Sequence, residues 1–125
     1  MLPFAISLQS GQPVSEQVVY AVKRAVVAGL LRPGDAFPSV RALSQELRIN
    51  PNTAHKIVAA LTAEGLLEVR PGIGTLVAEA PAATREQRRQ LLQDEVEALV
   101  VEARKYGLDL SDVQDALARQ WKKLS

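Results

Sequence analysis

From Val14 to Val26 the apolar residues Val14, Val18, Ala21, Val22, Ala25 and Val26 fall on one stripe at three- and four-residue spacing. That period predicts a helix with one buried face, opening near Pro13, which can occupy its first turn, and stopping near Gly29. Arg32-Pro33-Gly34-Asp35 follows, with proline and glycine at the central positions of a type II turn. Ser39 is a good N-cap for a second helix whose Val40, Leu43 and Leu47 share a face. A short break at Arg48-Ile49 leads to Asn50-Pro51, an N-cap with proline behind it at the first helical position. A third helix then runs to about Glu64, with Ala54, Ile57, Val58 and Leu61 inward and Gly65 as its stop. Beyond it the period changes. Leu66–Arg70 and Thr75–Val77 read as short strands joined through Pro71-Gly72-Ile73-Gly74. Helix, helix, tight turn, helix, hairpin is the order of a winged helix-turn-helix.

The segment AEAPAAT, residues 78–84, is the one compositional break and reads as a linker. The chain therefore divides into a winged module (residues 1–78), a linker (79–84) and a helical tail (85–125). In the tail, Thr84 and Gln87 form the pattern of a capping box. Leu92, Val96, Leu99, Ala103 and Tyr106 continue as a heptad-like seam up to Gly107. Ser111 and Gln114 repeat the capping pattern for a last helix, with Leu110, Val113, Leu117, Trp121 and Leu124 along one side. Two such helices cannot bury both seams alone, so the tail is expected to pair with a second copy. The fold class is mainly α with a small β-hairpin: an N-terminal winged helix-turn-helix and a two-helix dimerisation tail.

Composition sharpens this reading mostly by exclusion. The 125 residues, 47% of them hydrophobic, can bury a core of modest size, and few are aromatic. The absence of cysteine removes disulfides, thiolate metal sites and thiol nucleophiles. The start of the chain lacks the basic and apolar regions of a signal peptide, and no apolar run approaches the length that spans a bilayer, so a cytoplasmic protein without membrane partners is expected. Charge says little. Residues 1–78 carry seven Lys/Arg against five Asp/Glu, and residues 79–125 carry eight against nine. The functional reading therefore rests on pattern.

A helix that reads the major groove presents polar side chains near its N-terminus, opposite its core face. Asn52, Thr53, His55 and Lys56 occupy those positions on the third helix, where an amide can bond a base edge and a lysine can reach phosphate or guanine. Arg41, in the first turn of the second helix, can contact phosphate or base. Ser39 can add a phosphate donor to its capping role, and Arg70 stands at the base of the wing. Gly72 and Gly74 allow a tight hairpin and equally a close backbone approach to DNA. His55 is the chain's one histidine and cannot build a metal site alone. No nucleophile–base pair, metal-ligand cluster or phosphate loop appears, so neither an enzyme nor a cofactor is expected.

The stretch GLLRPGDAFPSVRALSQELRINPNTAHKIVAALTAEGLLEVRPGIGT (29–75) resembles the DNA-binding signature of the GntR family. SGQPVSEQV (10–18) looks like that family's opening into helix 1. The Asn50-Pro51-Asn52-Thr53 start of helix 3 and the short tail are most similar to the YtrA-like subfamily. The resemblance implies a dimeric repressor on a palindromic operator, with DNA contacts at Arg41, Asn50, Asn52, Thr53 and His55 and a wing tip, Gly72, Ile73 and Gly74, at the minor groove. It also implies control of ABC-transporter genes. Three positions depart from the pattern. Pro51 replaces a common arginine, although proline is usual in the YtrA-like branch. Arg48 takes a turn position that often holds glycine, and Ile73 a wing position that is frequently basic or polar. Dimer contacts are expected from Leu92, Val96, Leu99, Ala103, Tyr106, Val113, Leu117 and Trp121, where Trp121 serves as core packing or as one wall of an effector pocket. The tail is too short for a large effector domain, which leaves a small ligand at the dimer interface or none. The competing reading is a winged-helix protein-interaction module without sequence-specific DNA binding.

Overall fold

The computed structural model describes residues 2–125; Met1, the first residue of the expected module, lies outside them. The chain forms two compact units, one ending at Ala80 and the other beginning at Pro81. In the first, α1 (Val14–Val27), α2 (Val40–Leu47) and α3 (Pro51–Ala63) are followed by β1 (Leu67–Arg70) and β2 (Gly74–Val77). The strands pair antiparallel, Leu67 opposite Val77 and Arg70 opposite Gly74. Both α1 and α2 pack on α3, and β1 packs on its far end. The predicted stripes meet in the centre: Val18, Val22, Leu43, Ala54, Ile57 and Leu61 are fully buried. Each large side chain so buried stabilises the head by roughly 1.5–3 kcal/mol.

Two elements close this core that hydrophobic periodicity did not show. The extended start of the chain lies on it, with Phe4 buried and its ring stacked on Phe37 at 6.0 Å between centroids. Gln17 fastens the same segment. Its side chain accepts from the Gln9 N–H at 2.8 Å and donates to the Gln9 and Gln12 carbonyls at 2.9 and 3.0 Å. The second element is a short extended run after the Pro33-Gly34 turn. The Gly34 and Phe37 N–H groups donate to the Val77 and Thr75 carbonyls, and the Val77 N–H returns to Asp35, each at 2.8 Å. The hairpin thus has a partial third strand on its β2 edge, and Ala36 bridges Leu76.

The predicted starts and stops are largely borne out. Ser39 Oγ accepts from the Ala42 N–H at 3.1 Å, and Asn50 Oδ1 from the Asn52 N–H at 2.8 Å. Pro13 departs from expectation: it sits just outside α1, extended at ψ 129°, and its carbonyl accepts from the Gln17 N–H. The tight turn at 32–35 forms as predicted. Gly34 takes φ 91°, the Asp35 N–H donates to the Arg32 carbonyl, and the Asp35 carboxylate accepts from the Arg32 N–H.

The second unit contains α4 (Arg85–Arg89), a π-helical turn (Gln90–Glu95), α5 (Val96–Lys105) and α6 (Leu110–Lys123). The Thr84–Gln87 capping box is present, with both bonds made at 2.9–3.0 Å. The expected regular heptad helix is interrupted by the π-helical turn, which widens the helix and shifts its seam. Arg89 pairs there with both Glu86 and Asp94, and its guanidinium holds the Glu86 carboxyl below the ordinary range. The cap of the last helix also differs from expectation. It is Asp109, whose N–H donates to the Asp112 carboxylate at 2.8 Å, in place of Ser111 and Gln114. Gly107 ends α5 and the Leu108 N–H folds back to the Ala103 carbonyl, so the chain is ready to re-enter a helix two residues sooner.

That fold-back recurs. At the ends of α1, α2, α3 and α5, the N–H groups of Leu30, Ile49, Leu66 and Leu108 donate to the carbonyls of Ala25, Ser44, Leu61 and Ala103. This is the Schellman closure, in which the residue before the apolar one must be left-handed. Glycine fills that place three times, whereas α2 uses Arg48 at φ 55°, ψ 49°. An L side chain there costs about 1–2 kcal/mol, partly offset by its smaller unfolded-state entropy. Arg48→Gly should therefore stabilise the protein by roughly 0.5–1 kcal/mol in urea unfolding, whereas Arg48→Ala should not. A lower midpoint for the glycine variant would show that the Arg48 side chain contributes more than its backbone costs.

Candidate nucleic-acid interface

Burial divides α3 cleanly. Ala54, Ile57, Val58 and Leu61 face the core, while Asn52, His55 and Lys56 are exposed on the opposite side and Thr53 is half-buried at the margin. Ala59 shares the exposed face, at helical spacing from both Asn52 and His55. It escaped the sequence reading because a small apolar residue gives no polar signal. Lys56 lies toward α1 and lines a shallow cleft with Glu16, Tyr20, Lys23 and Glu64. Lys23 and Glu64 close part of that cleft with an ion pair at 2.9 Å.

Asn50 has two duties available to one side chain. Its carbonyl oxygen caps α3, which leaves the amide NH₂ as a donor at the helix N-terminus. Arg41 is exposed in the first turn of α2, drawn into no ion pair among the described residues. Ser39, two residues before it, has its hydroxyl oxygen engaged as the α2 cap. Inside, Ser44 is buried, and its hydroxyl donates to the Arg41 carbonyl at 2.9 Å. The first turns of α2 and α3, on helices packed against each other, thus offer an arginine, two amides, a histidine and a lysine to solvent.

The hairpin projects past the core. Leu67 and Val77 anchor its base, while Val69 and Ile73 are 61% and 68% exposed. Its tip is a turn in which the Ile73 N–H donates to the Arg70 carbonyl, with Gly72 at φ 78°. Arg70 is paired with Glu68 at 2.8 Å. Among the described residues no His, Cys, Asp and Glu group could hold a metal ion, and no helix is long and apolar enough to cross a membrane.

The comparisons agree with this geometry. Residues 14–77, from the start of α1 to the end of the hairpin, match the model of "Bacterial regulatory proteins, gntR family". The chain is 31% identical to the HTH-type transcriptional repressor YtrA of Bacillus subtilis (strain 168), over 88% of this chain and 85% of that protein. It belongs to the gntR family. More narrowly, it is a DNA-binding transcription regulator of the YtrA type, a group of regulators and not of enzymes. A transcriptional antiterminator from Listeria monocytogenes EGD-e has the same fold, with a TM-score of 0.84 at 21% identity over 97% of this chain and 91% of that one. The gntR-type head is also similar to the AraR DNA-binding domain solved with operator ORX1. That match has a TM-score of 0.53 at 25% identity and covers 59% of this chain and 95% of that one.

The double use of Asn50 can be separated. Asn50→Asp keeps the capping oxygen and should leave stability nearly unchanged, whereas Asn50→Ala should lose about 1 kcal/mol. The aspartate also removes the donor and adds negative charge, so it should weaken DNA binding while melting like the parent. Equal DNA affinity for Asn50→Asp, measured by fluorescence anisotropy, would confine Asn50 to capping.

Proposed function

We propose that the protein is a sequence-specific repressor that binds a palindromic operator as a homodimer, with α3 in the major groove. The observation that carries this reading is the exposed face of α3, where Asn52, His55 and Lys56 stand opposite a fully buried stripe. Asn52 bonds a base edge, and Ala59, two turns further along the same face, leaves room for a thymine methyl. Asn50, Thr53 and His55 flank it, Arg41 and Ser39 hold the backbone from α2, and the wing tip at Gly72–Gly74 lies along the adjoining minor groove. YtrA-type kinship supports the repressor role, and transporter genes are the targets we expect. The protein acts in the cytoplasm.

Selection from random duplex DNA would supply the operator. On it, Asn52→Ala should cost tenfold or more, on the order of one lost bidentate base contact, while leaving binding to unrelated duplex unchanged. Arg41→Ala should weaken both and reduce the slope of log affinity against log salt by about 1. Full operator affinity in both variants would remove α2 and α3 from the interface. Binding without sequence or salt dependence would favour a protein-interaction module instead.

The tail supports the dimer. Taken alone, the second unit leaves Leu92 of the π-helical turn, Val96, Leu99 and Tyr106 at and after the start of α5, and Leu117 and Trp121 of α6 exposed, Trp121 at 81%. Ala103 and half-buried Val113 line, with Leu99, Tyr106, Leu108 and Leu117, a groove of about 330 Å³. Apolar surface on this scale marks an interface. Trp121 is the chain's one tryptophan, so it reports directly. Its emission should shift to the blue as protein concentration rises through the dimer dissociation constant, in step with sedimentation. Emission fixed at the value of exposed indole at every concentration would exclude Trp121 from the dimer contact.

A further inference from the structure

The hairpin from Leu67 to Val77 carries two charged side chains, Glu68 and Arg70, and their charges cancel. Two apart on β1, they share a face and meet at 2.8 Å. The hairpin therefore brings no net cation to DNA and has little to gain from the deep negative potential of a narrow minor groove, which attracts basic side chains. Its tip offers apolar surface instead. Ile73 is 68% exposed between Gly72 and Gly74, so it is the one side chain between Pro71 and Thr75. A branched apolar group held so far into solvent adds nothing to the core of the head.

We infer that Ile73 is a specificity-determining residue that packs against the minor-groove floor and selects base pairs lacking the guanine 2-amino group. The inference rests on the reading that the wing follows α3 onto DNA. In the minor groove, A·T and T·A pairs expose acceptors alone, whereas G·C adds the N2 amino donor. A side chain with no polar atom, seated over that donor, displaces its water and leaves an N–H unsatisfied, the costlier kind of orphan. The amino group also occupies the space the Ile73 side chain needs. Discrimination at the wing thus comes from exclusion of one chemical group, while α3 supplies positive readout in the major groove.

Base analogues isolate this effect because they change the minor groove and leave the major-groove edges alone. Full-length protein is titrated against its selected operator with 2,6-diaminopurine replacing single adenines across the flanks of each half-site. One position per half-site should weaken binding about five- to tenfold. Hypoxanthine in place of guanine in a G·C variant of that position should restore affinity. Ile73→Ala should reduce the discrimination below about twofold, and Ile73→Asn, which can accept from the amino group, should abolish or reverse it. An operator bound tightly by the parent yet insensitive to diaminopurine everywhere would overturn the inference and leave the functional reading standing. Undiminished discrimination by Ile73→Ala would remove the role from this residue. Failure to select any duplex sequence would instead overturn the underlying reading.

Discussion

The head depends on a single helix having two faces that must both be satisfied. α3 is the centre of the core, because α1, α2 and β1 pack against it, and it is also the helix that turns polar side chains outward. Ile57 and Leu61 fix its rotation: turned far enough to hide Asn52, the helix would expose two fully buried side chains, at a cost of several kcal/mol. Packing therefore sets the direction in which Asn52, His55 and Lys56 point. The caps set where the helix begins. Asn50 and Pro51 start it abruptly, so that its exposed N–H groups and polar residues arrive together at one end.

This arrangement explains how a chain with formal net charge +1 can serve a DNA-binding family. Phosphate attraction scales with the cations that touch the backbone, not with the total. Here most of the chain's acids lie toward the tail, while Arg41 and Lys56 stand near the exposed polar face of α3. Charge is placed sparingly. A regulator built this way is expected to hold unrelated DNA weakly.

Much of the head was legible in the sequence because its signals are local. Ser39 and Asn50 cap the helices they were expected to cap, as Thr84 does in the tail, and the stripes of α1 to α3 supply most of the buried core. What escaped depends on partners distant in sequence or on competition between near-equal signals. The run at Ala36-Phe37 becomes extended only because β2 supplies its hydrogen bonds, and Phe4 becomes core only because Phe37 is there to stack on. Gln17 looks like any surface residue of a helix until the backbone of Gln9 and Gln12 is laid beside it. In the tail, Asp109-Asp112 and Ser111-Gln114 are both plausible capping pairs, and the fold-back of Leu108 decided between them. Of the candidate interface, the polar face of α3 was readable from spacing. The silent Ala59 and the internal pairing of Arg70 with Glu68 were not.

The pairing of residues 34–37 with β2 has a consequence for how such regulators diversify and how they can be engineered. A wing is usually thought of as a detachable hairpin, a part that could be exchanged between relatives at its two ends. In this chain its inner edge is knitted to the segment that delivers the chain into α2, through bonds from Gly34, Asp35 and Phe37. Phe37 in turn holds the start of the chain. The smallest transferable unit therefore includes residues 34–37 together with 67–77. A graft of the hairpin alone would bring a new tip at the expense of the seam that keeps the arginine-bearing turn of α2 in place.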